Sequence, residues 1–234
     1  MKNLIGIAAL ILVFMLYGCA QNKELQTING YNNNVSTKSI DGINIITKVD
    51  YWKGDPQIKN FVTPVHVTIS NHSGKPVKIS YEQFALLAPD GHRFSALPPF
   101  DISGTLSKPA LIQSYKPILV PAFTYQGFLL APFYSPIYPG IPVMEGDFFF
   151  DPLYYENYYS YWDQVEYELP TTKMIDNALP EGVLQNDGEI SGYLYFEKLD
   201  NTKANRVDFI ADLINSKTGK NFATIDIPFN VVNE

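Results

Sequence analysis

Residues 65–70 read Val65-His66-Val67-Thr68-Ile69-Ser70, so that apolar and polar side chains alternate without a break. This period of two predicts a β-strand with one buried face, because successive side chains of a strand point to opposite faces. Residues 71–75 follow as a polar turn containing glycine, and Val77 and Ile79 begin a strand that we expect to return beside the first. The segment therefore predicts antiparallel β-structure with a single buried face.

The same alternation recurs on both sides of this segment. Apolar residues spaced by two define four further strands, which contain Ile43 to Val49, Ile190 to Phe196, Val207 to Ala211 and Ile225 to Phe229. Short strands separated by turns about every ten residues are typical of a β-sandwich. We therefore predict an all-β fold, an immunoglobulin-like antiparallel β-sandwich over residues 42–234. Two small tandem domains, at about 42–130 and 183–232, are the alternative.

The middle of the chain has a different composition. Prolines interrupt any long regular element between residues 98 and 142, and a run of Phe and Tyr residues follows them. We interpret residues 123–182 as a Tyr/Pro-rich insertion into the sandwich. Its end contains at most one short helix, with Thr171 as the N-cap, Met174 and Ile175 on the apolar side, and Pro180 beyond the end.

Charge and cysteine content exclude some classes of function. The formal net charge is −7, and an acidic body argues against nucleic acid as a partner, because phosphate binding needs a basic surface. The same charge argues against docking to anionic lipid by electrostatics alone. The single cysteine leaves no second thiol for a disulfide, so the core alone must hold the fold together.

The N-terminus has the layout of a secretion signal. Lys2 is followed by an apolar run from Leu4 to Tyr17, which is too short to span a bilayer. The run ends in Leu16-Tyr17-Gly18-Cys19, and the chain then becomes polar. An ordinary signal peptide with a free cysteine would share these features.

This N-terminal motif resembles a bacterial lipoprotein signal, with Tyr17 where Ala or Ser is usual. The resemblance implies removal of residues 1–18 and acylation of Cys19, whose acyl chains would hold the protein on a membrane. Ala20 then implies sorting to the outer membrane, with the outer leaflet of the inner membrane as the alternative. The layout of the body is similar to that of uncharacterised envelope lipoproteins with immunoglobulin-like sandwiches, which implies no particular activity.

Residues 19–41 are predicted to form a flexible tether behind the acylated cysteine. The segment is rich in asparagine and poor in large apolar side chains, so it buries too little surface to offset the entropy of ordering. A flexible coil of this length spans roughly 25 Å on average. We therefore expect the folded body to stand clear of the membrane surface.

The aromatic insertion is the candidate contact surface. Tyrosine and tryptophan offer flat apolar rings with a polar tip, which suits stacking on sugars or filling pockets of a protein partner. The residues expected at this surface are Tyr154, Tyr155, Tyr158, Tyr159, Tyr161 and Trp162. Three interpretations remain open: the insertion covers a sheet face, binds an envelope protein or cell-wall glycan, or enters the membrane interface.

No catalytic motif marks the sequence as an enzyme. His66, His72 and His92 have neither metal-ligand spacing nor a nucleophile motif beside them, and no cofactor or metal is implied. We therefore predict a non-enzymatic binding or structural module of the cell envelope. The alternative is an envelope hydrolase whose site is assembled from residues far apart in the chain.

Overall fold

The computed structural model describes residues 23–28, 34–106, 122–146, 168–199 and 204–233. These residues form eleven β-strands and one α-helix, α1, which spans Thr172–Asn177. The strands are β1 Lys23–Thr27, β2 Val35–Ile40, β3 Ile43–Lys48, β4 Val62–Asn71, β5 Val77–Ile79, β6 Phe84–Leu87, β7 Arg93–Leu97, β8 Thr124–Leu130, β9 Gly182–Glu197, β10 Arg206–Asn215 and β11 Asn221–Asn233. The predicted all-β sandwich is confirmed.

The alternating segments fold as the pattern predicts. On β3 the buried residues are Ile43, Ile45 and Thr47, and the residues between them are half-buried. On β4 the apolar residues of the opening segment are buried and the polar ones are partly exposed. Because β3 and β4 pair in register, with Ile45 opposite Ile69, their apolar sides form one continuous surface toward the core.

Strand β9 is the centre of the sheet network. The strand order is β1-β11-β10-β6-β7-β9-β4-β3-β2, and all pairs are antiparallel; β8 also pairs with β9, and β5 pairs with both β9 and β10. The strands of residues 42–130 thus pair with those of residues 183–232, and two tandem domains are ruled out.

The predicted return of β5 alongside β4 is wrong. Val77 lies opposite Leu184 of β9 and Asn215 of β10, so β5 joins two strands instead of closing a hairpin with β4. The reason lies in the turn, where the buried side chain of Asn71 binds the carbonyl oxygen of Lys75 and directs the chain away from β4. Turn composition predicts where the chain reverses, but it does not predict which strand the chain pairs with after the turn.

Two apolar clusters hold the layers together. The main cluster contains Phe209, whose ring centroid lies 6.1 Å from that of Phe84 and 6.0 Å from that of Phe196. A smaller cluster covers the other side of β9 and includes Tyr193 and Tyr195. Both tyrosines are buried, although the alternation places them on the polar side of their strand.

Helix α1 forms as the sequence predicts. The Thr171 hydroxyl accepts a hydrogen bond from the Met174 N–H at 3.3 Å, which caps the first turn. Met174 is buried in the smaller cluster, and its carbonyl oxygen accepts a hydrogen bond from the Tyr195 hydroxyl at 3.0 Å. The helix therefore acts as the cover over the outer side of β9.

Part of the predicted tether is folded. Lys23–Thr27 pairs with β11 and Val35–Ile40 pairs with β3, so a continuous flexible tether over residues 19–41 is wrong for these two strands. Leu25 is buried in the main cluster and gives β1 its anchor. Low apolar content misled the prediction, because backbone pairing with an existing edge needs few buried side chains.

The described part of the predicted insertion also belongs to the sandwich. Strand β8 pairs with β9 along residues 124–130, and a β-bulge interrupts the pairing after Gln126. Tyr134 and Tyr138 are fully buried, and the Tyr138 hydroxyl donates to the Ile175 carbonyl oxygen at 2.6 Å. In residues 122–146 the insertion therefore covers the sandwich, as the first of the three interpretations proposes.

Candidate functional site

The site residues predicted from the sequence fall outside the described part of the chain. Cys19 precedes the first described strand, and the predicted aromatic contact surface lies between residues 146 and 168. These residues are Tyr154, Tyr155, Tyr158, Tyr159, Tyr161 and Trp162. Acylation and aromatic contact thus stay predictions, and the described strands offer a different candidate.

This candidate is the outward side of strands β2, β3, β4, β9 and β8. Cross-strand register places polar side chains in rows there: Asn44 lies opposite Ser70, and Ser70 lies opposite Glu189. We call this surface the polar face and define it by Ser39, Asn44, Thr68, Ser70, Thr124, Gln126, Glu189 and Ser191. All of these residues are exposed or half-buried, so the surface is open to ligands.

Hydrogen bonds between neighbouring strands order the polar face. The Ser39 hydroxyl donates to Asn44 Oδ1 at 2.8 Å, and the Ser70 hydroxyl donates to Glu189 Oε2 at 2.8 Å. Side chains held by their neighbours lose less rotamer freedom on binding a ligand, which lowers the entropic cost of binding. The surface is thus a preorganised set of hydroxyl, amide and carboxylate groups.

Aromatic rings close one end of the polar face around His66. The imidazole ring lies edge-on to Tyr193, with the ring centroids 5.0 Å apart, and to Tyr51, with the centroids 5.4 Å apart. The Tyr193 hydroxyl donates to the Tyr51 carbonyl oxygen at 2.9 Å, which fixes the positions of these two residues relative to each other. Tyr51 keeps 38% of its surface exposed and is the accessible ring of this end.

His66 and Ser191 lie in contact on the polar face. The Ser191 hydroxyl lies 3.3 Å from His66 Nε2 and accepts a hydrogen bond from the Thr68 hydroxyl at 3.0 Å. The other ring nitrogen, Nδ1, is buried with no hydrogen-bond partner among the described residues. Burial, with a smaller effect from Lys48, lowers the His66 pKa to about 4, so the imidazole is neutral near pH 7.

The surroundings of Ser191 differ from those of a nucleophile. Ser191 lies in the middle of β9, opposite Thr68 on one side and Thr124 on the other. Backbone N–H groups inside a paired strand are taken up by the ladder, whereas an oxyanion hole needs free donors beside the nucleophile. The geometry is therefore better suited to holding a hydroxyl-bearing ligand than to attacking a carbonyl.

Sequence reasoning did not bring His66 and Ser191 together. Alternation places His66 on the polar side of its predicted strand, but Ser191 is 125 positions away in the chain. Only the register of β4 against β9 places them in contact, and neither strand's sequence specifies that register. Alternation at residues 65–70 and 190–196 predicts which side of each strand a residue occupies. It does not predict which residue of another strand lies beside it.

Comparison with known proteins gives no relative for this chain. No protein-family model, no curated protein and no solved structure matches it. Within the described ranges, no three His, Cys, Asp or Glu side chains are grouped so as to hold a metal ion. Also within those ranges, no helix has the length and apolar content required to cross a membrane.

Because His66 is partly buried, lowering the pH should reduce the free energy of unfolding. The His66 pKa is about 4 in the folded chain against an ordinary value of 6.5, so the unfolded chain binds the extra proton first. The free energy of unfolding must then fall as the pH decreases from 6.5 to about 4. Urea unfolding of wild type and His66→Gln at about pH 7.5 and about pH 4.5 measures this contribution, which the variant should lack.

The pH dependence of the wild type must be compared with that of His66→Gln, because the Asp176 carboxyl also changes its protonation in this pH range. Burial raises the pKa of this carboxyl to about 6, so the folded chain binds this proton first and gains stability as the pH falls through that value. This effect opposes that of His66 in an overlapping range, but it is common to both proteins and cancels in the difference. Equal pH dependence of wild type and variant would contradict the assignment to His66.

Proposed function

We propose that this protein is a lipid-anchored module of the bacterial cell envelope that binds a partner without catalysing a reaction. The observation that carries the binding role is the polar face, an open sheet surface with ordered hydroxyl, amide and carboxylate groups. Support for the anchor comes from the lipoprotein-like sequence that ends at Cys19. The outer membrane is the proposed location because Ala20 follows that cysteine, with the outer leaflet of the inner membrane as the alternative.

Cell-wall glycan is the partner class that best suits the polar face, with an envelope protein as the alternative. Sugars present rows of hydroxyl groups, which pair with Thr124, Gln126 and Glu189 as donors and acceptors. The aromatic residues predicted from sequence stay in the proposal as a second contact region: Tyr154, Tyr155, Tyr158, Tyr159, Tyr161 and Trp162.

Binding to purified sacculi tests this proposal with the non-acylated chain, residues 20–234. Changing Glu189 and Gln126 to alanine removes two polar groups that lie opposite each other on β9 and β8. We expect the dissociation constant to rise about tenfold, which corresponds to about 1.4 kcal/mol for two hydrogen-bonding groups. Co-sedimentation over a range of sacculus concentrations gives the constant.

A matched control is available on strands β10 and β11. Asp212 and Thr224 also lie opposite each other, and the Thr224 hydroxyl donates to Asp212 Oδ1 at 2.7 Å. Changing both to alanine removes a carboxylate and a hydroxyl from outside the polar face and should leave sacculus binding unchanged. Equal losses in both double variants, or failure of the wild-type chain to bind, would reject glycan binding by the polar face.

The contact of His66 with Ser191 favours a hydrolase as the second candidate. A neutral imidazole beside a hydroxyl is the minimal arrangement for general-base activation. A hydrolase predicts that sacculi or model esters are cleaved and that Ser191→Ala abolishes cleavage. A binding module predicts no cleavage by either protein, with retained binding by the wild type.

A further inference from the structure

The distance between the anchor and the folded body is set by β1. This strand begins at Lys23, four residues after Cys19. A fully extended chain advances by at most about 3.5 Å per residue, so Cys19 lies within roughly 14 Å of the start of β1. A lipid-bearing residue at position 19 therefore keeps this end of the sandwich close to the bilayer.

Strand β1 is held firmly to the rest of the sandwich, so the distance between Cys19 and the folded body stays short. All five of its residues pair with β11, from Lys23 opposite Asn233 to Thr27 opposite Phe229. Leu25 is buried in the main cluster, and Glu24 accepts a hydrogen bond from Lys59 at 2.6 Å. Peeling β1 away to lengthen the tether would break these interactions together.

The end of the sandwich beside Lys23 carries a group of lysines, although the whole chain is acidic. We call it the lysine end and define it by Lys23, Lys48, Lys53, Lys59 and Lys173. Lys59 is neutralised by ion pairs of 2.6 Å with Glu24 and 2.9 Å with Asp50. The cationic groups of Lys48 and Lys53 face the ring of Tyr51, which adds no compensating charge.

Aromatic side chains accompany these lysines. The Nζ atoms of Lys48 and Lys53 lie 5.3 Å and 4.7 Å from the centroid of the Tyr51 ring, which is itself exposed. Trp52 follows in the chain and is half-buried against Tyr193, with ring centroids 5.0 Å apart. Tyrosine and tryptophan combined with lysine are the side chains that prefer the headgroup region of a bilayer.

We infer that the lysine end is a membrane-contact surface that lies on the headgroups of an anionic phospholipid bilayer. The inference rests on the proposed acylation of Cys19 and adds the orientation that the acylated protein takes. Two independent features point to the same end of the molecule: the short covalent reach from Cys19, and the lysines around the exposed ring of Tyr51. The net charge of −7 is that of the whole chain, and at this end the acidic residues Glu24 and Asp50 are paired with Lys59.

This orientation directs the other end of the sandwich away from the membrane. Strand β4 runs ten residues from Val62, which lines the same cavity as Lys23, to Asn71 at the opposite end. At about 3.3 Å per residue this is roughly 33 Å. The turn that contains Lys217 lies at that far end, where the Ser216 N–H donates to the Pro76 carbonyl oxygen. Positions 53 and 217 therefore report on opposite ends.

Site-directed fluorescence tests the orientation in the full acylated protein. Lys53→Cys and Lys217→Cys each remove one exposed lysine and introduce one thiol for a fluorophore. The proteins are placed in vesicles of phosphatidylethanolamine and phosphatidylglycerol, some of whose headgroups carry a nitroxide quencher. We expect strong quenching of the label at position 53 and intensity at position 217 equal to that in quencher-free vesicles.

The wild-type chain separates failure of this inference from failure of the proposed anchor. Its only cysteine is Cys19, which an acyl group blocks, so the wild type should take up no fluorophore. Labelling of the wild type would reject the proposed anchor itself. A blocked Cys19 combined with equal quenching at positions 53 and 217, in variants with wild-type circular dichroism, would overturn the orientation alone.

Discussion

Replacing Phe209 with alanine will lower the free energy of unfolding by about 4 kcal/mol, as expected for a large aromatic residue in a closely packed core. Phe209 is fully buried on β10 and packs against Phe84 from β6 and Phe196 from β9. The alanine variant leaves a cavity between strands from both halves of the chain. Equilibrium urea unfolding followed by circular dichroism measures the change.

Phe222→Ala is the matched control for Phe209→Ala. Phe222 lies on β11, is half-buried at the margin of the main cluster, and has Lys75 Nζ 4.7 Å from its ring centroid. Its loss should cost about 1 kcal/mol, because solvent already fills part of its surroundings. Similar losses from the two substitutions would show that Phe209 is not a central contact between the layers.

The second large effect is expected from Asn71, whose replacement by alanine will cost about 3 kcal/mol. Its side chain is fully buried, and Nδ2 lies 2.8 Å, 3.1 Å and 3.0 Å from the carbonyl oxygens of Lys75, Leu184 and Gln185. Oδ1 accepts from both the backbone N–H and the hydroxyl of Ser73. Alanine leaves these buried groups without their partner, which costs more than a lost surface hydrogen bond.

Asn44→Ala gives the comparison for Asn71→Ala. Asn44 is a half-buried asparagine on β3 that accepts one hydrogen bond, from the Ser39 hydroxyl. Water replaces that partner, so we expect a loss of under about 1 kcal/mol. Urea unfolding of both variants decides the matter: a small loss for Asn71→Ala would mean that the two loops it joins are held by other contacts.

The strands with one buried face were predictable from the sequence because alternation is a local property. Ile43 to Val49, the segment around Val67 and the segment around Phe209 all bury the predicted side. Helix α1 was equally local, since Thr171 and the apolar residues after it suffice to specify a capped turn. Such predictions need no knowledge of which strands become neighbours.

Features that depend on neighbours were beyond the sequence. Tyr193 and Tyr195 occupy the polar side of an alternating strand, yet the smaller cluster, which includes Met174, buries them. The same limitation applies to β1, which is ordered by pairing with β11, 200 residues later in the chain, rather than by its own composition. The candidate site follows this pattern, because His66 meets Ser191 only through the register of two strands.

The pairing of β1 with β11 has a consequence for how the protein is made. In the described structure Lys23 pairs with Asn233, which lies far from it in the sequence. A ribosome releases β1 long before β11, so β1 must wait until β11 has been synthesised before it can pair with it. Pairings of such large sequence separation slow folding. Pairing of β1 with β11 should therefore be a late step of folding, and a chain truncated before β11 should leave β1 without its partner strand and expose the edge of β10.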